Sequence, residues 1–328
     1  MNAFEYARPQ TVQEAVELLA GRWGEVEVLA GGTDLLSLMK GYLATPKRLV
    51  SLQGIQELRG IRSSAGGVSI GAMVTLQELH DNKTVHDGYH CLAQATEGVA
   101  SPQIRSMRTV VGDLCQRPRC WYYRNGFGLL ATGPDGKSLV PSGENQYHAI
   151  LGSQGPAYFV SPSSLAPGLI SFGAKLRILG PKGRRELALA DFYRIPQSEG
   201  EREYALEPNE IITEVYVPAS GQGWKSATYE VRQKLALDWP LATASVALRL
   251  AGTTVTSARI VMGHVAPKPW PALGAEKWLA GKVLTDETAA RAGELAVSGA
   301  TPLSKNGYKV QLARIAVKRA LLAAERSH

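Results

Sequence analysis

"VLAGGTDLLSLMKG", residues 28–41, sets two glycines, a threonine and an aspartate at the end of a short apolar run and then begins a second one. Gly31 and Gly32 lack a Cβ, so the backbone can turn tightly there and lie close against another group. Two readings are open at this point. Successive N–H groups in a turn ahead of a helix form a concave anion site that suits a phosphate. The same residues suit a plain strand-to-helix turn in which Thr33 or Asp34 caps the helix.

Upstream, Thr11 and Glu14 have the spacing of a capping box. Val12, Ala15, Val16, Leu18 and Leu19 then give a helical apolar face that stops at Gly21. "EVEVLAGG" reads as a strand with a glycine end, "LLSLMKGYL" as a helix and "RLVSL" as a second strand. This alternation predicts a small parallel α/β unit over residues 1–60. Downstream, "GVSIGAMVTLQELHDN" predicts a strand ending at Gly71 and a short helix capped by Thr75, with another helix over 88–98. "SPQIRSMRTVVGDLCQRPRC" reads as loop and short strand. "LISFGAKLRILGPKGRRELALADFY" holds two strands around a turn, and "EIITEVYVPA" alternates as a strand. The last third predicts a hairpin or meander and then helices over 271–279, 286–297 and 305–324. The expected fold class is α+β: a two-part α/β domain over 1–175, divided near residue 60, and a C-terminal α+β domain over 176–328 with an antiparallel sheet and helices. Lys305, Lys309, Arg314, Lys318 and Arg319 read as a solvated face of the last helix.

Composition narrows the function. The apolar and charged fractions, 45% and 20%, are those of an ordinary globular protein, and no apolar run approaches a membrane span. The N-terminus has no basic-then-apolar pattern, so no export signal is expected. Three cysteines are too few for a disulfide framework and fit a reducing cytoplasm. The net charge of +7 (36 basic minus 29 acidic residues) is modest. Arg105, Arg108, Arg117, Arg119 and Arg124 nevertheless crowd together, with Trp121, Tyr122 and Tyr123 among them. With no nucleic-acid motif nearby, this cluster reads as one facing anionic groups, either at an interface or packed internally against the loop that follows. The six histidines are scattered without metal-ligand spacing, and neither a G-x-S-x-G nor a G-x-G-x-x-G pattern is present. A catalytic chain of this kind borrows its reactive group from a cofactor.

"LAGGTDLLSLMKG" together with "TVVGDLCQRPRCWYYR" resembles the FAD-binding medium subunit of the xanthine dehydrogenase family of molybdenum hydroxylases. That plan is shared by subunits of carbon monoxide dehydrogenase, aldehyde oxidoreductase and 4-hydroxybenzoyl-CoA reductase. "RLVSLQGIQELRGI", "SPQIRSM", "EIITEVYVP" and "NGYKVQLARIAVKRALL" match in the same order, and "QRPRCWYYR" is most similar to the aldehyde oxidoreductase branch. The resemblance implies an FAD whose pyrophosphate is wrapped by Leu29, Ala30, Gly31, Gly32, Thr33 and Asp34, with Leu35 beside them. A second loop supplies Thr109, Gly112, Asp113 and Leu114. Ala100, Ser163 and Ile212 complete the implied contacts.

Four positions depart from the family pattern. Val111 stands for a glycine, Asp113 for an asparagine, Ser164 for an aspartate, and Glu230 where many relatives have lysine. A valine crowds the second loop, and an aspartate repels a pyrophosphate unless an arginine compensates. Some relatives carry a [4Fe–4S] cluster after the R-C-W-Y segment. Here only Cys115 and Cys120 lie near, so no cluster is expected. The implied role is that of an oxidoreductase subunit in the cytoplasm. It would work with a [2Fe–2S] small subunit and a molybdopterin large subunit, and pass electrons to an external acceptor. A scaffold subunit without flavin and a free-standing flavin oxidase are the rivals.

Overall fold

The computed structural model describes residues 1–99, 101–233 and 238–327. Its first layer is a three-stranded parallel sheet of β1 (Glu5–Ala7), β2 (Val26–Leu29) and β3 (Arg48–Ser51), in the order β1-β3-β2. Helix Val12–Glu17 connects β1 to β2 and helix Leu35–Lys40 connects β2 to β3. Parallel neighbours need such crossovers, so the alternation of strand and helix patterns was enough to specify this unit. Thr11 Oγ1 accepts from Glu14 N at 3.2 Å, but the Glu14 carboxylate takes the N–H of Gln10 and not that of Thr11. The expected reciprocal box is therefore a single cap. At Thr75 the box is complete: Thr75 N donates to Glu78 Oε2 at 2.7 Å and Glu78 N to Thr75 Oγ1 at 3.1 Å.

The second sheet is antiparallel and five-stranded. It contains β4 (Ile61–Ser64), β5 (Gly67–Gly71), β6 (Lys175–Gly180), β7 (Gly183–Ala188) and β8 (Ile211–Pro218), in the order β4-β5-β8-β6-β7. The boundary expected after residue 175 falls at the start of β6, inside this sheet. Pairing of β5 with β8 and of β8 with β6 continues the first unit to residue 218. Helices between residues 76 and 114 and helix Leu165–Ser171 bury Leu76, Leu79, Leu92 and Leu169 in one core with Val68, Ile70 and Val215. The segment expected as loop and strand instead holds helices Pro102–Met107 and Val110–Leu114. Each is too short to show a helical apolar period, and Ser101 and Thr109 cap them by accepting from Ile104 N and Gly112 N.

The third sheet holds β9 (Lys225–Val231), β10 (Ala242–Ala251), β11 (Thr254–Gly263) and β12 (Trp270–Pro271). Helices Leu273–Leu279 and Tyr308–Arg326 pack against it, and helix Asp286–Ala296 packs on those two helices. Ala313, Ala316, Val317, Ala320, Leu321 and Ala324 recur at helical spacing and are fully buried, the alanines allowing close approach to the sheet. Lys309 breaks the expected solvated face. It is buried, and its ammonium donates to the carbonyls of Tyr147, His148 and His264 at 2.9–3.1 Å.

Candidate functional site

Where β2 ends, the chain turns through residues 30–34 and enters helix Leu35–Lys40. A Cβ on Gly31 would lie 2.8 Å from the carbonyl carbon of Met107 and nearer still to its oxygen. Only glycine lets this loop rest against the backbone that leads into Thr109. Gly32 has φ +71°, the left-handed region that favours glycine. Among the described residues, the N–H groups of Gly31, Gly32, Thr33 and Asp34 meet no acceptor. Four free donors in a turn ahead of a helix make a cradle for an anion.

The cradle forms one wall of a cavity of about 330 Å³. Ala30, Gly31, Gly32, Thr33, Asp34 and Leu35 line it from one side, Thr109 and Gly112 from a second loop, and Ile212 from β8. Leu29 does not line it. Its carbonyl accepts from Leu52 N, which ties β2 to the chain beyond β3. Leu114, Asp113 and Ser163 are buried and also stand outside the lining. Ala100 lies outside the described residues.

Asp113 faces into the protein. Its carboxylate accepts from Ser163 Oγ at 2.6 Å, Gln116 Nε2 at 2.9 Å and Leu165 N at 3.3 Å, with Arg108 Nη1 at 3.4 Å. The arginine that such an aspartate needs beside a pyrophosphate is present in Arg108. Ser164 and Glu230, two further departures from the family pattern, bond to each other at 3.0 Å, and Glu230 also pairs with Arg232. Burial pushes the Glu230 carboxyl up, against the pull of Arg232. Val111 lines the cavity and also packs into the core, so the crowding residue is partly absorbed.

Asp34 does not cap its helix. Its carboxylate takes Arg119 Nη1 at 2.7 Å, Arg124 Nη2 at 2.8 Å and the N–H of Arg117 at 2.8 Å. Arg117 in turn lies 2.6 Å from Glu203. Tyr122 Oη accepts from Glu144 N, and the Trp121 ring meets Tyr147 edge-on. The arginine- and aromatic-rich stretch thus contacts the loop that follows and ties down Asp34, and its Arg117 and Tyr123 line the cavity themselves.

Other residues that line the cavity had escaped the sequence reading. Trp23, Glu27, Arg202 and Tyr204 line it as well. Glu27 was legible as a carboxylate inside an apolar strand. Burial raises its carboxyl, Arg117 opposes this, and Arg202 stands 3.9 Å away. Arg202 and Tyr204 come from a segment without apolar period, which carried no signal. Cys115 also lines the cavity, with its thiol pushed up to about 12 by burial. Cys120 Sγ lies 3.2 Å from His148 Nε2. Among the described residues, no group of three or more His, Cys, Asp or Glu side chains is placed to hold a metal ion.

Comparison with known proteins gives this geometry a family. Residues 2–220 match the FAD binding domain in molybdopterin dehydrogenase, and residues 227–324 match the CO dehydrogenase flavoprotein C-terminal domain. The chain belongs to this flavoprotein family. It is 32% identical to the carbon monoxide dehydrogenase medium chain of Hydrogenophaga pseudoflava over 98% of this chain and 96% of that one. It is 31% identical to the aldehyde oxidoreductase FAD-binding subunit PaoB of Escherichia coli over 96% of each. The solved carbon monoxide dehydrogenase of Hydrogenophaga pseudoflava that lacks the Mo-pyranopterin moiety superposes with a TM-score of 0.77, at 31% identity over 99% of this chain and 98% of that one. The family's flavoprotein subunits are parts of oxidoreductases, and FAD is the cofactor of this chain. The residues present fit it: a cradle of unpaired N–H groups suits the pyrophosphate, and an apolar-walled cavity adjoins it. Among the described residues, no helix is long and apolar enough to cross a membrane.

Proposed function

We propose that this chain is the FAD-carrying electron-transfer subunit of a molybdenum-containing hydroxylase or dehydrogenase in the cytoplasm. Its partners are a small subunit with [2Fe–2S] centres and a molybdopterin large subunit. The observation that carries the reading is the row of N–H groups at residues 31–34 without an acceptor among the described residues, on residues that line the same cavity as Thr109 and Gly112. Bound there, FAD accepts and stores electrons for delivery to an external acceptor. The chain's own residues bind and orient it. The main chain of 31–34, with Thr109 and Gly112, would hold the pyrophosphate, and Asp34 holds the loop against Arg119 and Arg124. Ile212 and Leu35 exclude water from the apolar wall. Asp113 and Ser163 act from behind that wall, joining the second loop to the start of helix Leu165–Ser171.

The flavin-holding unit ends after β8, and the C-terminal unit begins with β9. The extents of the two family matches support that division. The free thiols of Cys91, Cys115 and Cys120 support a reducing compartment. Co-expression with a molybdenum subunit and a ferredoxin-like subunit, followed by size-exclusion chromatography and flavin analysis, tests the reading. The expected result is co-elution of all three chains with one FAD per copy of this chain. A chain that elutes alone and oxidises substrate unaided is a free-standing oxidase; one that co-elutes without flavin is a scaffold.

A further inference from the structure

A second cavity, of about 260 Å³, lies near the first. Thr33 lines the first cavity and a small one beside it; Arg119, Asp238, Trp239 and Pro240 line the small one and the second. No residue of the 30–34 loop lines the second cavity itself. Its walls are rings. Trp121, Tyr147, Phe159 and Trp239 line it, and the Trp121 and Tyr147 rings meet edge-on with centroids 5.4 Å apart. Such walls suit a flat ring.

The polar groups in the lining divide into engaged and open ones. His148 Nε2 lies 3.2 Å from Cys120 Sγ, and the two His264 nitrogens lie 2.9 Å from Thr243 Oγ1 and 3.3 Å from the Pro162 carbonyl. Burial holds the two imidazoles down to about 4 and about 3, so neither carries charge near neutral pH. Tyr147 Oη donates to one end of the Gln233 amide, and the other end has no partner among the described residues. Asp34 takes Nη1 of Arg119, whose Nε and Nη2 have no partner among the described residues. Lys309 Nζ donates to three carbonyls and pairs with no carboxylate among the described residues. Asp238, the one carboxylate in the lining, offsets it. An anion therefore gains little here. A neutral ring with oxygens at its edge finds flat walls, open donors and a positive charge that favours electron density arriving on those oxygens.

We infer that this cavity takes the external electron acceptor, and that the acceptor is a quinone. Trp121, Tyr147 and Trp239 contact its ring, and Arg119 and Gln233 its carbonyl oxygens. This rests on the electron-transfer reading above. In the reaction the two C=O groups of the quinone become C–OH. The quinone takes two electrons from reduced FAD, which is left oxidised, and two protons from solvent, which takes up those that the cofactor gives off. The lining shared through the small cavity keeps the two sites near each other.

The test uses the full chain loaded with FAD and, as acceptor, menadione, a naphthoquinone. Titration of the oxidised chain, followed by tryptophan fluorescence and calorimetry, should show saturable binding of one menadione per chain. Tyr147→Ala should weaken it about tenfold and Gln233→Ala about threefold. Both residues are exposed, so both variants should keep the wild-type melting temperature and FAD content. In stopped flow, reoxidation of the dithionite-reduced chain should saturate with menadione. The variants should raise the half-saturating concentration by the same factors and leave the limiting rate, and reoxidation by ferricyanide, unchanged. Reoxidation that rises linearly with menadione and is equal in wild type and variants overturns the site. Menadione binding that is present without FAD and lost on loading it also overturns the inference, assigning the cavity to the cofactor. Reoxidation by NAD⁺, with menadione inert, overturns the choice of a quinone. A chain that takes up no FAD yet loses menadione in Tyr147→Ala supports the site and defeats the electron-transfer reading.

Discussion

The two loops that meet at the cavity solve different problems with similar residues. The N–H groups of Gly31, Gly32, Thr33 and Asp34 meet no acceptor among the described residues, and these residues line the cavity. Residues 109–113 spend three of their five internally: Gly112 N goes to Thr109 Oγ1, Val110 N to Val74 and Asp113 N to Thr109 O, while among the described residues Thr109 N and Val111 N meet no acceptor. The Asp34 carboxylate binds arginines on a neighbouring segment, while that of Asp113 binds the serine and main-chain N–H of a buried helix start. The first loop leaves more of its N–H groups free, and the second ties more of its own to itself and to the core. A glycine-and-aspartate motif therefore does not by itself say which it is; the partners of the aspartate and of the N–H groups do.

The largest effect expected from this contrast is at Gly31. Gly31→Val drives a Cβ and its branches into the Met107 carbonyl. It should cost about 2 kcal/mol or more, because backbone cannot yield as a side chain does, and it should abolish FAD retention. Thermal melts and flavin-to-protein ratio check both. Retention of wild-type flavin content would break the assignment of binding to the first loop. Next comes Asp34→Ala, which leaves Arg119 and Arg124 without their carboxylate. The expected loss is about 2–3 kcal/mol, with weakened FAD binding, read by denaturant melts and equilibrium titration.

Asp113→Asn should behave differently. It removes one acceptor for Ser163 and the counter-charge for Arg108, costing about 1–2 kcal/mol. Because the carboxylate stands outside the cavity lining, FAD affinity should change by less than about threefold. A large affinity change without a stability change would erase the distinction between the loops. Smallest of all, Gly32→Ala places a Cβ at φ +71°, where it should cost about 1 kcal/mol in the melt.

The sequence made the strands and helices of the first 60 residues readable, because alternating apolar patterns with glycine ends leave few other topologies. The last helix was equally plain from its spaced alanines and leucines. Short helices such as Val110–Leu114 were not, since five residues show no period. Lys309 was misread because a basic residue in a basic run carries no mark of burial. Only its three carbonyl partners reveal it. Of the implied site, Ala30, Gly31, Gly32, Thr33, Asp34, Leu35, Thr109, Gly112 and Ile212 line the cavity. Asp113, Leu114 and Ser163 matched a pattern whose side chains here point into the core. The direction of a side chain depends on partners distant in sequence, which one motif does not contain.

The central claim is that main-chain N–H groups of residues 31–34 hold the cofactor's pyrophosphate. A crystal structure of the chain with FAD bound tests it directly. The account predicts phosphate oxygens at about 3 Å from the nitrogens of at least two of Gly31, Gly32, Thr33 and Asp34. A pyrophosphate held instead by arginine side chains, with those N–H groups bonded only to water, would contradict it.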